Sequence, residues 1–189
     1  MRITISGSPG SGTTSLAKAL AERYDLRYLS AGEVFRCLAK ENGMDIASFG
    51  KFAEENPEID LKIDARQKEI GETSDDIILE GRLAGWMVEN ADLKMLLYAS
   101  PGCRAERIAE RENLSSEEAS VATVDREASE AARYMEYYEI DIADLSPYDI
   151  VINSETFNQE EVLAIAEKLI EMVFFKNQTS MIPISTIKK

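Results

Sequence analysis

Two groups of residues in this sequence have the types and spacing to handle phosphate. The first is Gly7-Ser8-Pro9-Gly10-Ser11-Gly12-Thr13-Thr14, which nearly fits the pattern G-x-x-x-x-G-K-[ST]. In that pattern glycines let backbone N–H groups approach an anion, a lysine reaches the β and γ phosphates, and a hydroxyl meets Mg²⁺. Gly7, Gly12 and Thr14 fit, but Thr13 stands where the lysine is expected. The second group is the arginines, above all Arg36, Arg82, Arg126 and Arg133. A guanidinium suits phosphate because its planar fork pairs two oxygens and keeps its charge.

Glycine and serine runs also make ordinary turns, so the flanking elements decide what the loop is. Arg2 to Ser6 reads as a short β-branched strand, and Leu16, Ala17, Leu20, Ala21 and Tyr24 mark an amphipathic helix directly after the loop. Strand, glycine-rich turn and helix N-terminus together favour an anion, because unpaired N–H groups and the helix dipole both attract negative charge. Leu26 to Ser30 gives a second strand, and Ala31 to Asn42 a helix closed by Gly43. Asp45 to Glu55 reads as a helix, with Asn56 as N-cap and Pro57 at the first position of the next, Glu58 to Glu72. Asp60, Asp64 and Lys68 fall on one face of that helix.

Ile77-Ile78-Leu79 suits a buried parallel strand and ends in Glu80-Gly81-Arg82, where α/β sheets place ligands. Leu93 to Ser100 is the next strand, with Ser100-Pro101 opening a helix. Residues 104 to 133 are helical, polar and arginine-rich, with a capping box at Ser115 and Glu118, and look like a lid. Tyr148 to Ile152 gives a last strand, and Asn158 and Glu161 cap a closing helix with Val162, Ile165, Ala166, Leu169 and Val173 on its apolar face. Beyond Phe175 no period is visible, which predicts a loose tail over 176–189. Five strands alternating with helices predict an α/β fold, a parallel sheet covered on both faces, as one domain over 1–175.

Composition narrows the chemistry. A formal net charge of −14 over 189 residues argues against nucleic acid or anionic lipid as a partner, so an anionic substrate needs locally gathered arginines. The chain has no histidine, which removes imidazole acid–base catalysis, Ser-His-Asp triads and histidine-held metals. Cys37 and Cys103 lie far apart without metal or disulfide spacing. No leader precedes the first strand and no run of about 18 apolar residues occurs. A cytoplasmic protein, expected to be monomeric, is the resulting expectation.

Four strings give the sequence a resemblance: I-S-G-S-P-G-S-G-T-T near the start, L-S-A-G-E-V-F-R at 29–36, L-E-G-R-L-A-G-W-M at 79–87, and Y-Y-E-I-D-I-A-D-L-S-P-Y-D-I-V-I at 137–152. With them the chain resembles the P-loop nucleoside monophosphate kinases, most closely the archaeal-type cytidylate kinases. In that family G-S-G-T-T without the lysine looks like a tolerated variant. The resemblance implies a five-stranded parallel sheet, an acceptor-binding region around 30–70, a lid around 104–133, and transfer of the γ-phosphoryl group of ATP to CMP or dCMP, with Mg²⁺.

The candidate residues divide along those lines. Gly7, Ser8, Pro9, Gly10, Ser11, Gly12, Thr13 and Thr14 are expected on the ATP side, with Arg104 and Arg107. Arg36 and Arg82 are expected to converge on the acceptor phosphate, or else to form surface salt bridges. Ser30, Ala31, Gly32 and Gly81 suit close approach of a ligand to the backbone. Arg126, Glu130 and Arg133 lie at i, i+4, i+7; this spacing is similar to a set in bacterial cytidylate kinases that meets the nucleotide, or it marks a solvated face. Asp60 and Asp64 offer acceptors for the exocyclic amine of cytosine, or form a wet helix face. Glu80 could hold Mg²⁺ through water beside the Thr14 hydroxyl, or partner Arg82 or the loop. Trp86, Phe49 and Phe52 read as packing. Other readings of the same residues are a kinase of AMP, shikimate or dephospho-coenzyme A, or a nucleotide-binding regulator that hardly turns over.

Overall fold

The structure, a computed structural model, describes residues 1–179, with side chains through residue 173. Its sheet has five strands, β1 (Arg2–Gly7), β2 (Arg27–Ser30), β3 (Ile77–Glu80), β4 (Leu93–Tyr98) and β5 (Ile150–Asn153). They are all parallel in the order β2-β3-β1-β4-β5. The chain therefore leaves β1 toward one edge and later fills in the other side, and the order reverses at the carboxyl end of β1. That is the crevice where an open α/β sheet accepts a ligand, and the glycine-rich loop occupies it.

Eight helices surround the sheet among the described residues: α1 (Thr13–Tyr24), α2 (Ala31–Glu41), α3 (Ile46–Glu55), α4 (Glu58–Thr73), α5 (Ala84–Met87), α6 (Pro101–Glu112), α7 (Ser116–Tyr138) and α8 (Gln159–Thr179). Alternation along β1 sets the layers. Ile3 and Ile5 join Met95, Leu97 and Ile152 under Leu16 and Leu20 of α1 and Val162, Ala166 and Ile170 of α8. Ile77 and Leu79 meet Ala84 and Val88 in a smaller cluster. Burial of these side chains is the main force holding helices to sheet.

Helix starts follow their capping residues closely. Side chains of Ser30, Asp45, Ser100 and Ser115 cap α2, α3, α6 and α7, and Asn158 and Glu161 exchange bonds ahead of α8. The start of α4 differs from expectation by one residue. Pro57, not Asn56, is the cap, and the Asn56 carbonyl instead accepts from the Ile59 amide at 3.1 Å. The arginine-rich stretch divides into α6 and α7 at Asn113, whose φ of 56° ends the first helix. Helix α5 has four residues, too few to show a period in sequence. Helix α8 continues past Phe175 to Thr179, and the remainder of the expected loose tail lies outside the described residues. No helix among the described residues is long and apolar enough to cross a membrane.

Candidate functional site

Helix α1 begins differently from α2, α3, α6 and α7: its N-cap is Gly12, which has no side chain to satisfy the first-turn N–H groups. Gly12 (φ 93°) and Gly10 (φ 84°) both adopt the left-handed conformation that glycine tolerates, and this shape turns the loop around the helix start. A Cβ at Gly10 would also meet the Arg104 carbonyl at 2.7 Å. The result is an uncapped helix N-terminus in the sheet's crevice, the electrostatic setting that attracts a phosphate.

Several side chains hold this loop from behind. The Arg104 guanidinium donates to the carbonyls of Ala99 (3.1 Å) and Pro9 (3.3 Å) and pairs with Glu127. Arg107 donates to the carbonyls of Gly10 at 3.2 Å and Ser154 at 2.6 Å, and the Ser154 hydroxyl donates to the carbonyl of Ser11 at 2.7 Å. Both arginines expected on the ATP side thus spend donors on main-chain carbonyls, on Glu127 (Arg104) and on the Ser154 hydroxyl (Arg107), and Arg104 is buried away from open space. Thr13, at the lysine position of the pattern, turns its hydroxyl to Glu80 at 2.7 Å. The Ser30 hydroxyl also donates to Glu80, while accepting from the Glu33 amide, and the Tyr28 hydroxyl lies 3.4 Å from the same carboxylate. Glu80 therefore ties loop, β2 and β3 together, the partnership with the loop anticipated as one of its two readings; Arg82 does not touch it.

Two cavities meet at the loop. The first is lined by Gly7, Pro9, Gly10 and Thr14 of the loop, Ala31, Gly32 and Arg36 of α2, Asp60 and Asp64 of α4, Glu80, Gly81 and Arg82, and Arg126, Glu130 and Arg133 of α7. Most of the residues selected from sequence thus face one space, although they come from five separate segments. Ser8 and Ser30 do not line it; the Ser8 hydroxyl accepts from Arg82 at 3.0 Å. The second cavity runs along Gly10, Ser11, Gly12, Thr13 and Thr14 past Arg107 to Ser154 and Phe157. Gly10, Thr14 and Arg111 line both.

Charges in the first cavity are organised around buried carboxylates. Glu130 accepts from Arg82 Nε at 2.9 Å and from Arg126 Nε at 2.8 Å. Burial opposes its charge, but the guanidiniums of Arg126 and Arg82 hold its carboxyl below the usual range. Asp60 accepts from Arg133 Nε at 2.6 Å, and Asp64 from the Tyr138 hydroxyl at 2.8 Å. The two aspartates are only 5% and 8% exposed, so theirs is not a wet helix face. Burial pushes Asp64 up to about 6, opposed by the Tyr138 hydrogen bond. Burial also raises Asp60, which Arg133 opposes. Arg133 and Glu130 are likewise buried, which removes the solvated-face reading for that part of α7. Arg36, by contrast, is exposed and has no hydrogen-bond partner among the described residues.

Three residues at the site escaped the sequence reading. Arg111 shares its helical spacing with Arg104 and Arg107, which gives it no distinction in sequence, yet it is the one of the three that reaches both cavities. Its side chain is 57% exposed and pairs only with adjacent Glu112 among the described residues. Tyr134 lines the first cavity, and Tyr138 holds Asp64. Tyr134 lies four residues after Glu130, so extending that helix face would have found it. Tyr138 lies four residues further along the same face, but its partner Asp64 is far away in the chain and the contact has no local signal.

As a setting for Mg²⁺, the donor set is a Thr14 hydroxyl at the cavity junction and the Glu80 carboxylate. No cluster of three acidic or cysteine side chains suited to a metal occurs among the described residues. This fits an ion held largely by water and phosphate oxygens, the habit of Mg²⁺, with the protein contributing one or two oxygens.

Known proteins are similar to this chain in sequence and in fold. Residues 2–156 match the model of the Cytidylate kinase-like family. Cytidylate kinase of Methanocorpusculum labreanum is 70% identical over 167 residues, which cover 88% of this chain and 94% of the relative. Cytidylate kinase of Archaeoglobus fulgidus is 48% identical over 172 residues, 91% of this chain and 96% of the relative. Among solved structures, shikimate kinase from Bacteroides thetaiotaomicron superposes with a TM-score of 0.60 at 13% identity, covering 92% of this chain and 98% of the other, a likeness of fold alone.

Proposed function

This chain belongs to the cytidylate kinase-like family, and from that premise we propose that it transfers the γ-phosphoryl group of ATP to CMP or dCMP, giving ADP and CDP or dCDP. The observation that carries the reading is the gathering of Arg36, Arg82, Arg126 and Arg133, with two buried aspartates, around one cavity at the glycine-rich loop. The ATP phosphates take the uncapped N-terminus of α1, and its nucleoside takes the second cavity. The acceptor takes the first, with its phosphate toward Arg36 and Arg82 and its base toward Asp60 and Asp64. Residues 1–175 work as one kinase domain, with the acceptor region about 30–70 and a lid about 104–133.

Phosphoryl transfer asks the protein to place two anions in line and to neutralise charge spread over the moving group. The acceptor phosphate has a second pKa of about 6, so one of its oxygens is already an ionised nucleophile near neutral pH. That oxygen bonds to the γ phosphorus as the bond to the β,γ-bridging oxygen breaks, and ADP leaves with the electron pair. No general base is needed, which suits a chain without histidine. Arg82 joins the loop to α7 through Ser8 and Glu130. Arg111, facing both cavities with no buried partner, supplies the positive charge that lysine gives in the generic pattern. Mg²⁺, beside Thr14 and Glu80, would add further neutralisation of the phosphate oxygens.

A steady-state panel of CMP, dCMP, UMP and AMP with Mg-ATP tests the proposal. Fastest turnover with CMP or dCMP is expected; faster turnover of AMP, or none of the cytidine nucleotides, would overturn it.

A further inference from the structure

We infer that Tyr138 is a positioning residue that fixes Asp64 as a hydrogen-bond acceptor for the nucleobase, and so sets the preference for cytosine over uracil. The inference rests on the proposed function and goes beyond it in naming what makes Asp64 selective. At the position where cytosine carries an amino donor, uracil carries a carbonyl acceptor, as thymine does. An ionised carboxylate only accepts, whereas a protonated one can also donate. Selectivity therefore depends on which form Asp64 presents.

The geometry separates Asp64 from its neighbour one turn earlier. Asp60 faces a permanent cation, Arg133. Asp64 instead receives the neutral hydroxyl of Tyr138 on Oδ2 at 2.8 Å, while Oδ1 has no partner among the described residues and the side chain lines the first cavity. A phenol can only donate to a carboxylate, so Tyr138 favours the ionised form and orients the free oxygen toward the cavity. Other charged and titratable groups face Asp64 from each side. Asp60 shares α4, and α7 contributes Arg133, Tyr134 and Tyr138. Arg36 of α2, Glu80 of β3, Arg82 after it, and Arg126 and Glu130 of α7 line the same cavity without a hydrogen bond to Asp64, Glu80 being held by hydroxyls. The buried residues of α3 are Phe49 and Ala53, which carry no charge. Burial raises the Asp64 carboxyl to about 6 even with the Tyr138 bond, so ionisation near neutrality has little margin.

The test compares wild type, Tyr138→Phe, Asp64→Asn and the double variant, with kcat and KM for CMP and UMP measured from mildly acidic to mildly basic pH. Tyr137→Phe is the control, since among the described residues its hydroxyl reaches only the Ala53 carbonyl at 3.4 Å. In wild type, KM for CMP rises as pH falls through about 6. In Tyr138→Phe that limb moves up by about one pH unit, the scale of one hydrogen bond to a charged group. KM for CMP then rises about twofold at pH 7 and roughly fivefold at pH 6, kcat at saturation changes little, and the CMP:UMP ratio narrows by a similar factor at each pH. Asp64→Asn abolishes the limb, and adding Tyr138→Phe to it changes nothing further, the non-additivity of one coupled pair. Wild-type limb and selectivity in Tyr138→Phe, or an equal loss on top of Asp64→Asn, overturns the inference while the kinase assignment stands. A wild-type protein that ignores CMP overturns both.

Discussion

At the loop, the groups prepared for an anion belong to the main chain: two glycines at φ 84° and 93° and the uncapped first turn of α1. At the wall formed by α4 and α7, the same cavity is lined by charged side chains held at low exposure, Asp60 and Arg133, Glu130 with its two arginines, and Asp64 under Tyr138. Backbone dipoles recognise what every nucleotide has, its phosphates, and cost little to bury because the helix supplies them anyway. Under the proposed function, the buried carboxylates meet what distinguishes one nucleotide from another, and their charge is costly to keep out of water. The division teaches where stability has been given up for selectivity.

The largest expected effect comes from breaking the residue that joins the two regions. Arg82 donates to Ser8 of the loop and Glu130 of the wall, and Arg82→Ala is expected to lower kcat by on the order of 10³, the low end for an arginine acting on a transferring phosphoryl group. A loss below tenfold in steady-state assays would sever that link. Arg111→Ala is expected next, at roughly 10² in kcat/KM for ATP with KM for CMP nearly unchanged, since the guanidinium meets the acceptor cavity only at its junction. Gly10→Ala tests the main-chain side. Its positive φ and the Arg104 carbonyl at 2.7 Å predict about 1–3 kcal/mol of lost stability in a denaturant titration, with ATP affinity falling alongside.

Asp64→Asn gives the smallest effect on turnover but the clearest test of the exchange between stability and selectivity. The carboxyl rises from 3.8 unfolded to about 6 folded, so the native state binds its proton more tightly. Above pH 6 this opposes folding by up to about 3 kcal/mol, and the penalty fades as pH falls through 6 toward 4. Thermal melts of Asp64→Asn should therefore run above wild type at pH 7 and merge with it near pH 4. A variant less stable than wild type at pH 7 would show that the carboxylate supports the wall instead of straining it.

How much of this was legible depended on the distance between cause and signal. The βα units, the caps at Ser100, Ser115 and Asn158, and the closing helix were written in local patterns and appear in the structure within a residue or two. The start of α4 moved by one residue because Asn56 and Pro57 are both acceptable at a helix entrance. At the site, the acidic and basic spacing of α7 signalled Arg126, Glu130 and Arg133. Arg104, Arg107 and Arg111, however, carry the same helical spacing and cannot be ranked by it. The fold ranks them: carbonyls of the loop and of the chain after β4 and β5 hold the first two, Arg107 still lines the second cavity, and of the three Arg111 alone reaches both cavities.

By itself, the sequence determined the elements and their order, the anion-ready loop with a threonine in place of lysine, and a chemistry without imidazole. Those follow from periodicity, capping and composition, which act over a few residues. Only the tertiary structure decided that the Thr13 hydroxyl ties Glu80 to the loop, that Asp60 and Asp64 are buried with different partners, and that Tyr138 reaches back to α4. Each of those contacts joins residues more than sixty positions apart, and burial, which fixes whether a carboxylate is an ordinary surface charge or a strained acceptor, exists only once the helices have packed.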